Sequence, residues 1–151
     1  EEVLNELERA GVKLGIISNS FPSAECILCR LNLTHRFSYI VLSHQVHAAK
    51  PERTIYLAAL NSANVQPDEA LFVDDRGPLV KGALEVGIYS LLINRNGCSD
   101  DWKGKQIHSL RELLAFLPHS QASKSLCPDV QYAGSGATAS SSHVEFLYRR
   151  P

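Results

Sequence analysis

The sequence predicts an α/β fold built around a doubly wound parallel sheet. Short apolar runs rich in β-branched residues alternate with amphipathic segments of helical period, which is typical of βαβ units. Each apolar run ends in polar residues, as buried strands do before a loop. The chain has 151 residues, of which 44% are hydrophobic, so it can bury one ordinary core.

The elements follow one another in regular alternation. The chain opens with an amphipathic helix in which Val3, Leu4 and Leu7 share one face, and Gly11 ends it. Four apolar runs then predict strands buried on both faces, at residues 12–17, 37–42, 70–73 and 88–93. Further helices are predicted over 22–31, 52–60, 79–86 and 109–117, and residues 61–69 are predicted to be polar connection.

We expect the domain to cover residues 1–118. From 119 to 151 the chain is rich in serine and glycine and loses its apolar period until 143–148, so this tail is predicted to be disordered or foreign to the domain. The net charge is −1, which favours a small-molecule partner over nucleic acid. No apolar run approaches the roughly 20 residues of a membrane span, and we expect a soluble, cytoplasmic protein of unpredicted oligomeric state.

Three polar clusters follow three of the predicted strands: Ser18-Asn19, then Lys50, then Asp74-Asp75. The carboxyl ends of parallel strands meet at one edge of a sheet, where ligands bind. A phosphoryl group needs a hydroxyl or amide donor, a balancing cation, and carboxylates that hold magnesium. The clusters supply all three kinds of group.

The segments GVKLGIISNS, SHQVHAAKPERTIY and ALFVDDRGPLVKGALEVGIYSLLINRNG resemble motifs two, three and four of haloacid-dehalogenase-type hydrolases. The resemblance covers about residues 1–117 and implies a Rossmann-like core. The run FVDDRGPLVKGALEVG also resembles the phosphatase domains attached to epoxide hydrolases.

The resemblance implies a role for each polar residue. Ser18 would hydrogen-bond a phosphoryl oxygen, with Asn19 supporting it through its backbone, and Lys50 would neutralise the nucleophile and the transferring group. Asp75 would be the leading Mg²⁺ ligand, with Asp74 a second ligand or a supporting group. The expected substrate is a small phosphorylated molecule.

The family's nucleophile lies in an Asp-x-Asp motif on the first strand, and no such triplet occurs in these residues. The resemblance therefore predicts an incomplete core that lacks its central first strand and its cap, and that folds marginally. Leu79 also stands where relatives often carry asparagine or aspartate. Two other functions stay open: a non-catalytic truncated product that binds a ligand or partner, and a dehalogenase, whose reaction needs no magnesium.

The remaining polar and thiol residues have simpler interpretations. The four cysteines are predicted to be reduced, and Cys26 and Cys29, on a predicted helix, are expected to be buried rather than to bind zinc. His44 and His47 are interpreted as loop histidines near the active end, and Trp102 as a loop anchor.

Overall fold

A computed structural model describes residues 2–20, 23–95, 97, 102–117 and 146–149 of the chain. The α-helices are α1 (Glu2–Arg9), α2 (Ser23–Arg30), α3 (Ser43–Val46), α4 (Arg53–Ala63) and α5 (Gly77–Glu85). The strands are β1 (Leu14–Ser18), β2 (Tyr39–Leu42), β3 (Ala70–Asp74), β4 (Tyr89–Ile93), β5 (Gln106–Ile107) and β6 (Phe146–Arg149). Short 3₁₀ helices cover Thr34–Arg36, Pro67–Glu69 and Leu110–Phe116.

The strands form one six-stranded sheet in the order β2-β1-β6-β3-β4-β5. The pairs β1–β2, β3–β4 and β4–β5 are parallel, as predicted. β6 lies between β1 and β3 and runs antiparallel to both. The carboxyl ends of β1 and β3 therefore lie two strand spacings apart, about 10 Å.

The position of β6 differs from two expectations. The sequence predicts residues 119–151 to be outside the domain, yet residues 146–149 form a strand in the middle of the sheet. The resemblance also predicts a core that lacks its central first strand, and in the structure β6 fills the space between β1 and β3. Residues 118–145 lie outside the described part of the chain.

Helices cover both faces of the sheet, which confirms the doubly wound architecture. Side chains alternate between the faces along each strand: Ile17 and Phe72 pack with α4 and α5, whereas Ile16 and Leu71 pack with α1, α2 and the 3₁₀ helix near residue 113. β1 and β3 are buried along their whole length. Their apolar composition is thus explained by burial on two faces.

The sheet also requires a glycine at one position. Gly15 in β1 pairs with Tyr39 in β2, and a Cβ at Gly15 would come within 1.8 Å of the Tyr39 ring. The ring lies where any larger side chain would stand.

Several element boundaries differ from those predicted. α4 runs through Ala63 into the segment predicted to be polar connection, because Ala59, Leu60 and Ala63 continue its buried face. Residues 110–116 form a 3₁₀ helix rather than an α-helix. The short elements α3 and β5 were not predicted. No helix in the described ranges has the length and apolarity that a bilayer span requires.

Candidate active site

Lys50 is buried where β1 and β3 end. Its ammonium group donates a 2.9 Å hydrogen bond to the backbone oxygen of Ile17 in β1 and forms a 3.3 Å ion pair with Asp74 in β3. The side chains of Lys50 and Asp74 are 1% and 0% exposed. The ammonium also lies 5.5 Å from the centroid of the Phe72 ring. A single cation thus links the two strands on either side of β6.

Burial makes the ammonium group of Lys50 easier to deprotonate. Removal from water lowers the pKa of Lys50 to about 8, and the Asp74 carboxylate opposes that effect. The pKa of Asp74 is raised for the same reason, and Lys50 opposes the rise. Each charge therefore opposes the effect of burial on the pKa of its partner.

The amide of Asn19 holds the backbone of Lys50 in place. Its Nδ2 donates to the backbone oxygen of Lys50 at 2.8 Å, and its Oδ1 accepts from the backbone N–H of Lys50 at 2.7 Å. The backbone N–H and the backbone oxygen of Lys50 are therefore both hydrogen-bonded by one side chain, as two such groups are in a strand ladder. The expectation that Asn19 works through its own backbone misses this side-chain contact.

A second set of hydrogen bonds joins the loop after β1 to the start of α3. The Ser43 hydroxyl at the start of α3 accepts from the backbone N–H of Ser20 at 3.1 Å and is within 3.3 Å of the Ser20 oxygen, to which it can donate. His44 Nδ1 lies 3.2 Å from the same oxygen. The loop after β1 is thereby fixed to the segment that leads to Lys50.

The two adjacent aspartates differ in their surroundings. Asp74 is 1% exposed, pairs with Lys50 and accepts a 2.8 Å bond from the backbone N–H of Arg76. Asp75 is half-buried at the start of the loop that leads into α5. Asp74 is therefore the buried counterion of Lys50, whereas Asp75 lies closer to solvent.

The donor set suits part of a magnesium site. Within the described residues no group of three or more His, Cys, Asp or Glu side chains could enclose a metal ion. Mg²⁺ is commonly held by one or two carboxylates together with water and substrate phosphate oxygens. Asp75, with Asp74 behind it, fits that partial role.

Close packing fixes the elements around these residues. A Cβ on Gly82 in α5 would come within 2.7 Å of the backbone oxygen of Pro51, directly after Lys50. At the start of α5, Gly77 lies against the indole of Trp102, whose Nε1 donates to the Lys105 oxygen at 3.1 Å. Trp102 is thus a loop anchor, as predicted. Its contact residue Gly77 is two residues after Asp75 in the sequence.

A buried tyrosine connects the two helices behind the site. The Tyr56 hydroxyl in α4 donates to the backbone oxygen of Leu79 in α5 at 2.7 Å, and its ring meets Phe72 edge to face. Leu79 is 5% exposed. The position where relatives often carry a polar residue is therefore part of the interior here.

The family model described as haloacid dehalogenase-like hydrolase matches residues 1–93, which is more than half of the chain. The chain belongs to the haloacid dehalogenase-like hydrolases. It is 30% identical over 113 residues to a phosphatase of Mycobacterium tuberculosis, covering 74% of this chain and 52% of that protein. It is 28% identical over 119 residues to an (S)-2-haloacid dehalogenase of a Pseudomonas species, covering 74% of this chain and 51% of that enzyme.

The structural comparison agrees with the family match. A phosphatase of this family from Thermococcus onnurineus has a TM-score of 0.72 and 32% identity, covering 77% of this chain and 55% of that one. The predicted fold class and the predicted resemblance are thereby confirmed. The chain spans about half the length of the curated relatives it matches.

In this haloacid dehalogenase-like hydrolase, three of the five predicted site residues are in direct contact. Asn19, Lys50 and Asp74 are joined by direct contacts. Ser18 is buried at the end of β1, one residue after the Ile17 oxygen that Lys50 contacts. Asp75 follows Asp74 and lies half-buried at the start of the loop that leads into α5.

Sequence reasoning missed Ser43 and Gly82. Ser43 directly follows the apolar run predicted as a strand over 37–42, and only its contact with Ser20 shows that it also holds the loop after β1. Gly82 looks like an unfavourable residue inside a helix, which is a weak signal of close packing.

The prediction for the described cysteines is half correct. Cys26 and Cys29 are free thiols, but both are exposed rather than buried. Among residues 25–30 of α2, whose burial is described, Leu28 is the buried one, and both thiols lie on the exposed side of the helix.

Proposed function

We propose that the complete protein hydrolyses phosphomonoesters with Mg²⁺, through an aspartyl-phosphate formed on an Asp-x-Asp motif that these residues do not contain. The observation that carries this proposal is the buried Lys50, whose ammonium connects β1 to β3 at their carboxyl ends. A fixed cation in a water-poor site stabilises developing negative charge far better than a solvated one.

Ser18 and Lys50 supply the contacts to the phosphoryl group in this proposal. The hydroxyl of Ser18 would donate to one phosphoryl oxygen, and the ammonium of Lys50 would balance the nucleophile and the transferring group. Lys50 is held from both sides, by Asn19 at its backbone and by Asp74 at its ammonium. Such support keeps the charge in position without reorganisation during the reaction.

The carboxylates serve different purposes. Asp75 would be the protein ligand for Mg²⁺, and Asp74 would keep Lys50 ionised and support the metal from behind. When bound, Mg²⁺ neutralises phosphoryl oxygens and holds the substrate in line for displacement. The expected substrate is a small phosphorylated molecule.

Turnover by the complete polypeptide tests the proposal. With p-nitrophenyl phosphate, we expect hydrolysis in Mg²⁺ and its loss in chelator. Lys50→Met and Asp75→Asn should each lower kcat by about 100-fold or more. The matched controls are Lys81→Met on the partly exposed side of α5 and Asp68→Asn on an exposed turn, and both should leave the rate unchanged. Full activity of Asp75→Asn would contradict the assigned metal ligand.

Dehalogenation is a second candidate, which the similarity to the (S)-2-haloacid dehalogenase favours. A complete polypeptide that released halide from 2-chloropropionate at the same rate with and without chelator would support it. Binding of orthophosphate without turnover of either substrate would instead support the non-catalytic alternative.

A further inference from the structure

Cys26 and Cys29 form an exposed pair of thiols on α2. Both are free, and they lie three residues apart in the helix Ser23–Arg30. A helix turns by about 100° per residue, so the two side chains are about 60° apart around its axis. Residues with this spacing are neighbours on a helix surface, with Cβ atoms about 5–6 Å apart. Both sulfur atoms can therefore reach one ligand from the same side of α2.

The helix that carries the two thiols is fixed to the rest of the domain. Leu28, which is 5% exposed, packs in the apolar cluster on one face of the sheet. The carboxylate of Glu25 accepts a hydrogen bond from the side-chain amide of Gln45 in α3. Because the expectation of buried cysteines is wrong, the thiols are open to solvent and can lose their protons to bind a ligand.

The helical spacing of the pair favours a bridging cation over a disulfide. A disulfide requires Cβ atoms about 3.5–4.5 Å apart and sulfur atoms about 2.05 Å apart, which is closer than this spacing on an undistorted helix. A cation about 2.3 Å from each sulfur, as zinc is from thiolates, spans sulfur atoms up to about 4.6 Å apart. The thiols can therefore hold one cation between them without distorting α2.

The small number of ligands indicates the kind of cation. In the described part of the chain, no group of three or more His, Cys, Asp or Glu side chains could hold a metal ion, whereas structural zinc sites almost always have four ligands. Thiolates select soft cations, among them Cu(I), which is stable with two sulfur ligands. Arg30 is exposed four residues after Cys26, on the same side of the helix. Its charge can offset the net charge of two thiolates and one monovalent cation.

We propose that Cys26 and Cys29 are a two-thiolate binding site for a soft monovalent cation, represented by Cu(I). On binding, two S–H bonds break, two S–Cu bonds form and two protons pass to water, so no oxidation state changes. The affinity should therefore increase with pH. This inference goes beyond the proposed function and does not depend on it.

Anaerobic titration of the reduced full chain with Cu(I), in competition with bicinchoninate, tests the site. Cys98→Ser and Cys127→Ser in the same protein remove the two thiols outside α2. In this background we expect one bound Cu(I) per chain and thiolate-to-copper absorbance in the ultraviolet. No binding in competition with the chelator, or binding without that absorbance, would overturn the proposal.

Substitutions on α2 test the two ligands and their spacing. In that background, Cys26→Ser and Cys29→Ser should each weaken Cu(I) binding by more than the roughly 10–100-fold typical of losing an outer-shell partner. The matched control combines Cys29→Ser with Leu31→Cys, which keeps two thiols but places them about 140° apart around the helical turn. Leu31 is 59% exposed, so the control leaves the core unchanged. Binding by the control as tight as in the parent would overturn the site.

Two further measurements separate other uses of the pair. Zn²⁺ should bind far more weakly than Cu(I), and equal affinity for Zn²⁺ would overturn the assignment of a two-ligand site. Glutathione disulfide should give mixed disulfides, detected as added glutathione by mass. An internal disulfide that formed with the helical circular dichroism unchanged would overturn the argument from spacing.

Discussion

Two ion pairs in this molecule show that distance alone does not measure the importance of a contact. Arg111 and Glu2 approach to 2.6 Å, but their side chains are 60% and 67% exposed. Lys50 and Asp74 are 3.3 Å apart and almost wholly buried. Water competes for the first pair and screens it, whereas removing one partner of the second leaves a charge without solvent. The buried pair is the one that also belongs to the proposed active site.

Breaking the buried pair should produce the largest effect. Asp74→Asn keeps the shape of the side chain but leaves the Lys50 ammonium without its buried counterion, which should cost about 3–5 kcal/mol of unfolding free energy. Urea denaturation measures the change, with Asp68→Asn as the exposed control. A loss below about 1 kcal/mol would mean that the pair is not isolated from water.

The pH dependence of stability should show an effect of intermediate size that only the buried pair produces. The pKa of Lys50 is about 8 in the folded protein against 10.5 for an ordinary lysine, so between these values the unfolded chain binds more protons. Stability should therefore rise as pH increases through this window, by up to about 2 kcal/mol between about pH 8 and 10. Activity of the complete polypeptide should fall over the same range as Lys50 loses its charge.

The upper limit of that window is set by tyrosines. Burial raises the pKa of both Tyr39 and Tyr56 above its usual value of 10.0, so above about pH 10 the folded state binds more protons and stability declines. Urea titrations at several pH values, repeated on Lys50→Met, provide the measurement. An equal rise in the variant would show that another group causes it.

Removing the amide that holds Lys50 should have a smaller effect. Asn19→Ala deletes two hydrogen bonds to the Lys50 backbone and should cost about 1–2 kcal/mol. In the complete polypeptide we expect kcat to fall more than KM changes, since the lysine would be less well placed. Asn61→Ala, at an exposed position in α4, is the control for urea denaturation and kinetics. Identical behaviour of the two variants would remove Asn19 from this role.

The exposed pair should give the smallest effect. Arg111→Gln removes the contact with Glu2 and should leave the urea midpoint unchanged within error, at low and at high salt. A clear loss of stability would show that α1 depends on this contact, and that an exposed ion pair can also stabilise this protein.

The sequence was sufficient for features that repeat along the chain. Apolar runs at 12–17 and 70–73 predicted β1 and β3 because burial on both faces leaves a continuous hydrophobic segment. The positions of Asn19, Lys50 and Asp74 after three successive strands predicted that they lie at one edge of the sheet, where the structure shows Lys50 in contact with the other two; the roles given to Ser18 and Asp75 stay predictions. Each of these inferences depends on local pattern alone.

Features that depend on distant partners were not predictable. The segment 146–149 looks like a short apolar stretch in a polar tail, and its role is decided by a space that two other strands create. The side-chain role of Asn19 requires the Lys50 backbone to be beside it, 31 residues further along the chain. Cys26 and Cys29 were misplaced because one buried residue, Leu28, sets the face of α2.

The contact between Gly82 and Pro51 has a consequence for how the active end can vary. With 2.7 Å between a hypothetical Cβ and the Pro51 oxygen, even a methyl group would push α5 away from the segment that begins at Lys50. α5, which follows Asp75, and the segment at Lys50 are therefore held at a fixed distance from each other. Their polar groups can be altered one at a time, but their relative position is set by a residue with no side chain at all.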